Sequence, residues 1–403
     1  MRTSLPRPVI VLGIIAFCVA VGFGVLVPVL PVFARSFEVG YLEVGAVVSV
    51  FALMRLVASP FCGPMIVRAG ERAVLATGIF IVAISSGLAG ISQTYGQLLV
   101  LRGVGGVGSA MFTVSAMTLL LASVSSDIRG RAAGFYQGGF LIGSMAGPAV
   151  GGLLSAISLT APFFFYAATL AVAGTVGLAL LEPSRTGATG THEAPPVPFR
   201  SVLRDARFQA ACAANLAQGW TSMGVRSALV PVLVVEVLHR TAAWTGIAFA
   251  CAAVAQTVAV GPAGRFVDTV GRRPAMVGGG VLGALSIAVV PFAPDIWTLM
   301  GALCLYGVAA AFLGTAPAAA VGDAAGGRNG TAVAVFSMCS DVGSIVGPLV
   351  AGLLVDRVGY PVAIGVGAAL ILAAAVNALR MPGGIPVPVA APAVERNSTS
   401  GSR

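Results

Sequence analysis

The chain has 403 residues, 57% of them hydrophobic and only 9% charged, with a mean hydropathy of +0.97. A soluble domain carries roughly 25% charged residues, so this composition excludes a water-soluble fold and makes lipid the solvent. The formal charge of +9 comes wholly from arginine scattered between apolar runs, which excludes a nucleic-acid partner. The lysine-free, Ala/Gly/Arg-rich composition points to a GC-rich bacterial genome.

A membrane span needs about 20 mainly apolar residues. Runs between charged or Pro/Gly punctuation predict helices over 8–33, 41–64, 73–93, 97–123, 132–156 and 161–181, then over 208–234, 243–263, 274–293, 296–320, 331–355 and 360–380. The fold class is therefore all-α: twelve transmembrane helices in two six-helix bundles, 1–181 and 208–380. The first run follows Arg2 and Arg7 without a small-residue cleavage site, so it reads as a retained helix. A Pro/Ser/Thr/Gly-rich linker, 182–207, joins the bundles, and the tail 381–403 reads as disordered.

Among the connecting segments, one set holds Arg2, Arg7, Arg68, Arg72, Arg129, Arg131, Arg185, Arg200, Arg204, Arg207, Arg265, Arg272, Arg273, Arg328, Arg380, Arg396 and Arg403. The other holds Arg35, Arg240 and Arg357. Positive charge stays on the cytoplasmic side, so the expected protein is multi-pass in the bacterial inner membrane with both termini and the linker cytoplasmic. Tyr41, Tyr95, Trp244, Trp297 and Tyr360 fall at the outer ends, as an interfacial aromatic belt. The sequons at Asn329 and Asn397 fall on the cytoplasmic side and are discounted.

Each of the cysteines Cys18, Cys62, Cys212, Cys251, Cys304 and Cys339 lies in an apolar run without Cys-x-x-Cys spacing, and reads as a small buried hydrophobe. His192 and His239 fall in loops. No metal site and no cofactor are expected, and the chain is not expected to be an enzyme. Gly103 to Gly108 contains a Gly-x-Gly-x-x-Gly match, but a dinucleotide fingerprint needs a preceding strand and a loop, and this one lies inside a helix. ATP is not expected to drive the protein, since no phosphate-binding lysine exists.

The two halves repeat. Gly143-Ser144-Met145-Ala146-Gly147-Pro148-Ala149-Val150-Gly151-Gly152 recurs as Gly343-Ser344-Ile345-Val346-Gly347-Pro348-Leu349-Val350-Ala351-Gly352; Gly63 to Arg72 corresponds to Gly264 to Arg273, and Val27-Pro28 to Val230-Pro231. Repeated helical halves with a midplane substrate site between them are a common plan of secondary transporters.

Gly264-Arg265-Phe266-Val267-Asp268-Thr269-Val270-Gly271-Arg272-Arg273 resembles the loop signature of the major facilitator superfamily. The first-half copy keeps Gly63, Arg68, Gly70 and Arg72 but has Val67 at the acid and Glu71 at an arginine. Arg102 to Ala110 resembles the family's fourth-helix motif, with Gly105 where Gln is common. Gly134, Gly143, Gly147-Pro148 and Gly151-Gly152 resemble the fifth-helix motif of antiporters. The resemblance covers all but the tail and is nearest to the twelve-span drug–proton antiporter group. It implies proton-coupled efflux of small hydrophobic or amphiphilic compounds, a multidrug-type carrier working by alternating access, with substrate and protons as its partners and a monomer in the bilayer. A metabolite or sugar uptake carrier or facilitator on the same fold is the alternative, and a non-transport receptor is the reading from another class.

Gly139, Gly143, Gly147 and Gly151 share one helix face, where small residues let helix backbones approach. Two readings stand: tight packing, or a surface that seals or rocks between the halves. Arg55, Arg102, Arg226 and Asp341 are charges inside predicted spans, each costing at least ~3 kcal/mol at a helix centre. Arg55 and Asp341 lie roughly 14–15 Å deep, counting about 1.5 Å per residue. In the resembled fold the second and eleventh helices face each other, which implies an Arg55–Asp341 ion pair between the halves, either as a latch or with Asp341 as the proton carrier. The resemblance also puts helices one, four, seven and ten around the cavity. Arg102 and Arg226 are candidates there for an anionic substrate group or a proton relay, with Asn215, Gln218, Trp220 and Gln256 as further lining or as packing glue. Arg68, Arg72, Asp268, Arg272 and Arg273 are expected to form a cytoplasmic gate.

Overall fold

A computed structural model describes residues 6–124, 128–181, 199–324 and 330–382. Arg2, Arg185, His192, Arg328, Arg396, Arg403, the sequon residues Asn329 and Asn397, the linker over 182–198 and the tail from 383 lie outside the described residues. Span 1 runs as Arg7–Leu26 and Leu30–Arg35. Spans 2 to 6 are Tyr41–Ala69, Glu71–Ala89, Tyr95–Ala122, Arg129–Ser155 and Ala161–Leu180. Span 7 is assembled from Ala206–Gly219, Trp220–Leu229 and Val230–Glu236. Spans 8 to 12 are Ala242–Thr269, Arg272–Val289, Ile296–Ala324, Gly330–Val358 and Tyr360–Ala378. Among the described residues, 11 helices are long and apolar enough to cross a membrane; span 7, interrupted and more polar, is not among them.

The interruptions have local causes. Span 1, expected as one helix over 8–33, breaks after Leu26, because Pro28 has no N–H to continue the ladder. The Val29 N–H turns back to the Leu26 carbonyl at 3.0 Å, and the next helix starts behind it. In span 7 the expected continuous helix over 208–234 widens into a ten-residue π-helical stretch, Trp220–Leu229, which Pro231 closes from inside the first turn of the following helix. The repeated Val-Pro thus marks an irregular first span in each half, and π-helical turns concentrate at functional sites.

Spans 2 and 8 each end on the repeated loop. Gly70 has φ +81° and Gly271 φ +118°, backbone that only glycine adopts without strain. Each ends one helix and starts the next a residue later, so the loop motif needs that glycine. The linker expected to reach 207 instead contains a helix, Phe199–Arg204, and Asp205 caps the next one by accepting from the Arg207 N–H at 2.7 Å. Met381, placed in the tail by the sequence, is buried.

Buried side chains gather in two principal cores, one from Val9 to Leu181 with Val232, the other from Val202 to Met381. Span 2 packs along span 11 and span 5 along span 8, forming the seam between the halves. The glycine stripe of span 5 does not lie in that seam. A Cβ on Gly143 or Gly147 would come within 2.6 Å of the Phe17 or Val21 carbonyl oxygen of span 1. Gly139 and Gly151 press equally on the Gly13 and Val25 carbonyls. The stripe therefore locks span 5 to span 1 inside its own half, which corrects the sealing or rocking role. Its repeat does the same in the second half, with Gly343 and Gly347 pressed against Leu216 and Trp220 of span 7. Gly152, on another face, does reach the seam at the Ala243 carbonyl and Gly246 of span 8.

Of the expected aromatic belt, Trp244 and Trp297 meet edge to face with centroids 5.6 Å apart, and Trp297 is exposed. Tyr41 and Tyr360 instead pair at 5.5 Å and turn into the seam.

Candidate functional site

The seam is fastened by polar contacts that step from the membrane centre toward the face opposite the arginine-rich loops. At that outer end the Arg35 Nε donates to Glu236 Oε1 at 2.8 Å, the Tyr41 hydroxyl donates to Glu236 Oε2, and the Arg35 guanidinium stacks 4.6 Å from the Tyr41 ring centroid. The Asp356 carboxylate of span 11 accepts from the Tyr41 and Leu42 N–H groups at 3.0 and 2.9 Å. Those N–H groups open span 2 and lack intrahelical partners, so one half caps a helix of the other. About two turns inward, the Ser49 hydroxyl donates to the Ile345 carbonyl at 2.7 Å. Deepest is Arg55 Nη2 to Asp341 Oδ1 at 2.5 Å, with the two side chains 38% and 27% exposed.

Toward the basic face the packing loosens. A Cβ on Gly63 of span 2, on Gly134 of span 5, or on Gly261 or Gly264 of span 8 would meet nothing within 4 Å. The halves are thus closed at the outer end and splayed at the basic end.

Two cavities of about 430 and 440 Å³ meet at Arg55 and Thr113. The first is apolar and aromatic, lined by Phe23, Phe51, Phe112, Phe140, Tyr136 and Tyr166, with Arg102 and Arg55 as its charges. The second is polar, lined by Arg55, Ser59, Asn215, Ser337, Ser340 and Asp341. The resemblance put spans 1, 4, 7 and 10 around a central cavity. Instead, the apolar cavity lies mostly in the first half, takes only Met223, Ser227 and Ser344 from the second, and has no lining residue from span 10.

Arg102 is 6% exposed, with its guanidinium carbon 4.5 Å from the Phe51 centroid and its Nε without a partner. Arg226 sits 5.5 Å over Phe249 and lines neither cavity. Asn215 donates to the Phe336 carbonyl at 2.7 Å and lines the polar cavity, while Gln218 accepts from the Tyr306 hydroxyl at 3.2 Å. Trp220 packs its backbone on Gly347, and Gln256 lines neither cavity.

In the second-half loop, Arg272 Nε lies 3.0 Å from Asp323 Oδ2 of span 10, while its Nη1 is 3.8 Å from Asp268 Oδ1, the acid of the motif. Its Nη1 donates to the Val267 carbonyl at 3.1 Å. In the first half Arg72 bonds the Leu178 carbonyl of span 6 instead, and Val67 is 88% exposed. The repeat offset puts Ser123 opposite Asp323, so that half lacks both acids. Arg68 and Arg273 have no ion pair or hydrogen bond among the described residues.

Sequence reasoning missed Asp323, Glu236, Asp356, Tyr136 and Tyr166. The acids stand at span ends, where charge is ordinary, and none has an acidic counterpart in the other half. The tyrosines read as apolar filling.

Two pseudo-symmetric helical bundles, sealed at one end, splayed at the other, and enclosing paired cavities beside a cross-seam ion pair, have the plan shared by secondary membrane transporters. The chain belongs to the Major Facilitator Superfamily, whose sequence profile matches residues 12–243 and 211–400. It is 26% identical over 330 residues to the synaptic vesicular amine transporter of Bos taurus, covering 79% of this chain but only 62% of that protein. To the quinolone resistance protein NorA of Staphylococcus aureus it is 24% identical over 402 residues, covering 90% and 94% of the two chains. In structure it resembles a bacterial homologue of the human lysosomal transporter Spinster, crystallised inward-facing and unoccupied (TM-score 0.72, 14% identity, 94% and 96% covered). It also resembles the nucleoside transporter NupG (TM-score 0.74, 15% identity, 92% and 99% covered).

Proposed function

We propose that this transporter exports small hydrophobic or amphiphilic compounds in exchange for protons, by alternating access, as a monomer in a bacterial cytoplasmic membrane. Both termini and the basic, splayed face lie on the cytoplasmic side in this reading. The observation that carries it is the Arg55–Asp341 pair, which bridges the halves where the two cavities meet. Asp341 is the acid on the cavity walls and is partly exposed, so a proton can reach it. Protonation discharges it and leaves Arg55 without its counter-charge. That difference between the two protonation states biases the equilibrium between conformations. The full-length match to NorA, a resistance protein by name, supports the export direction.

An uptake carrier or facilitator on the same fold is the competing reading, favoured by the lack of any carboxylate on the wall of the apolar cavity. Everted vesicles with an imposed proton gradient separate the two. Antiport accumulates a substrate uphill, collapses with an uncoupler, and is lost in Asp341→Asn while Asp341→Glu keeps part of it. Gradient-insensitive equilibration in the wild type, or undiminished pH-driven transport by Asp341→Asn, overturns the proposal.

A further inference from the structure

The apolar cavity contains a charge without a partner. Among the described residues Arg102 is the one charged side chain that is buried. Its neighbours on the cavity wall supply rings and hydroxyls, but no carboxylate lines that wall, and the second guanidinium there, Arg55, is already matched by Asp341. The contact with the Phe51 ring offsets part of the cost of burying a guanidinium, yet the Nε still has no acceptor. A second orphan stands in the same cavity: the Tyr136 hydroxyl is buried and unpartnered on a side chain 2% exposed. Buried donors without acceptors are costly, and two of them facing one apolar space describe a missing acceptor.

We propose that the cavity is built for an amphiphilic monoanion, a ring-sized apolar body carrying one carboxylate, sulfonate or phenolate, with the anion held by Arg102 and Tyr136. This rests on the reading of the cavity as the substrate site. An anion supplies the opposite charge and the acceptor that Arg102 lacks. A cationic ligand would meet an uncompensated like charge where little water screens it. The volume of about 430 Å³ suits a drug-sized body, and the phenylalanines lining it give that body flat surfaces to stack on.

The test uses the purified full chain in detergent and two fluorescent probes with one apolar body, pyrenebutyrate and pyrenebutyl-trimethylammonium. The wild type is expected to bind the carboxylate at least tenfold more tightly. Arg102→Gln erases the preference by weakening the carboxylate alone, Arg102→Lys retains part of it, and Tyr136→Phe weakens the carboxylate severalfold. A wild-type preference for the ammonium, or none, overturns the proposal without any variant having to fold. A preference surviving in folded Arg102→Gln overturns it as well. Binding needs no proton gradient, so carboxylate binding that persists where gradient-driven transport is absent sinks the exchange reading and leaves this one standing.

Discussion

Asp356 is a single carboxylate that closes a helix belonging to the opposite half. Loss of a helix N-cap costs about 0.5–2 kcal/mol, and here the cost falls only on conformations in which the outer end is shut. Asp356→Ala is therefore expected to leave each half folded and to shift the equilibrium toward an open outer end by about fivefold, for ~1 kcal/mol. With the native cysteines replaced, labelling of Ser49→Cys by an impermeant thiol reagent reads the shift, because Ser49 is 3% exposed when the seam is closed. An unchanged labelling rate shows that the cap does not hold the gate. Asp323 makes a second case. Arg272 stands between Asp323 at 3.0 Å and the mostly exposed Asp268 at 3.8 Å, and exposed pairs are worth little. Asp323→Asn is expected to impair transport more than Asp268→Asn, measured in the same vesicles; the reverse order would restore the motif acid as the main partner. At this scale the sequence revealed Arg55 and Asp341 because a charge inside an apolar run is expensive and conspicuous. It concealed Asp323, Glu236 and Asp356 because a charge at a span's end costs nothing unusual.

Among the elements, spans 1 and 5 show how much an apolar pattern conceals. Four-residue spacing announces that Gly139, Gly143, Gly147 and Gly151 share a face, but both the seam and the interior of a bundle accept small residues. Which helix they meet is settled by carbonyl positions on span 1, and these follow the same four-residue step: Gly13, Phe17, Val21, Val25. Gly143→Ala puts a methyl 2.6 Å from the Phe17 oxygen, and overpacking of this kind costs about 1–3 kcal/mol. Gly138→Ala, on the same helix with nothing within 4 Å, is expected to be neutral or to gain up to ~1 kcal/mol in helix propensity. Thermal unfolding in detergent should place Gly143→Ala below the wild type and Gly138→Ala at or above it. Equal midpoints would mean that span 5 shifts freely on span 1. The breaks in spans 1 and 7 were half-legible. Val-Pro was visible in both, but nothing in composition distinguishes a turn from a π-helical stretch, along which Gly219 and Gly224 approach the backbone of span 11 closely.

The spacing of the seam residues suits the second conformation that the proposed alternating access requires. Gly246 and Gly264 of span 8 stand eighteen residues apart, as do Gly134 and Gly152 of span 5, and Gly45 and Gly63 of span 2. Eighteen residues are five turns at 3.6 per turn, so each pair lies on one helix face, one member near each end. The outer members are occupied: Gly152 against Gly246, and Gly45 against the Pro348 carbonyl of span 11. The basic-end members, Gly63, Gly134 and Gly264, face open space. Span 11 completes the set with Gly352, pressed on the Tyr41 carbonyl at the outer end, and exposed Ala334 eighteen residues earlier. If the protein alternates as proposed, its basic end closes as the outer end opens, and the small residues now unoccupied are the expected seats for that closure, Gly134 against Gly264 and Gly63 against Ala334. Gly264→Phe is then expected to fold, keep the outer end shut and bind ligand from the basic side, because its ring enters open space in this conformation. Transport should nevertheless fall more than tenfold, and Ser49→Cys should become unreactive from outside as the molecule is held in this state. Gly301→Phe, also placed in open space but on span 10 away from the seam, should transport like the wild type. Normal transport by Gly264→Phe would show that the basic end does not close over this glycine. The halves would then have to meet along some other face.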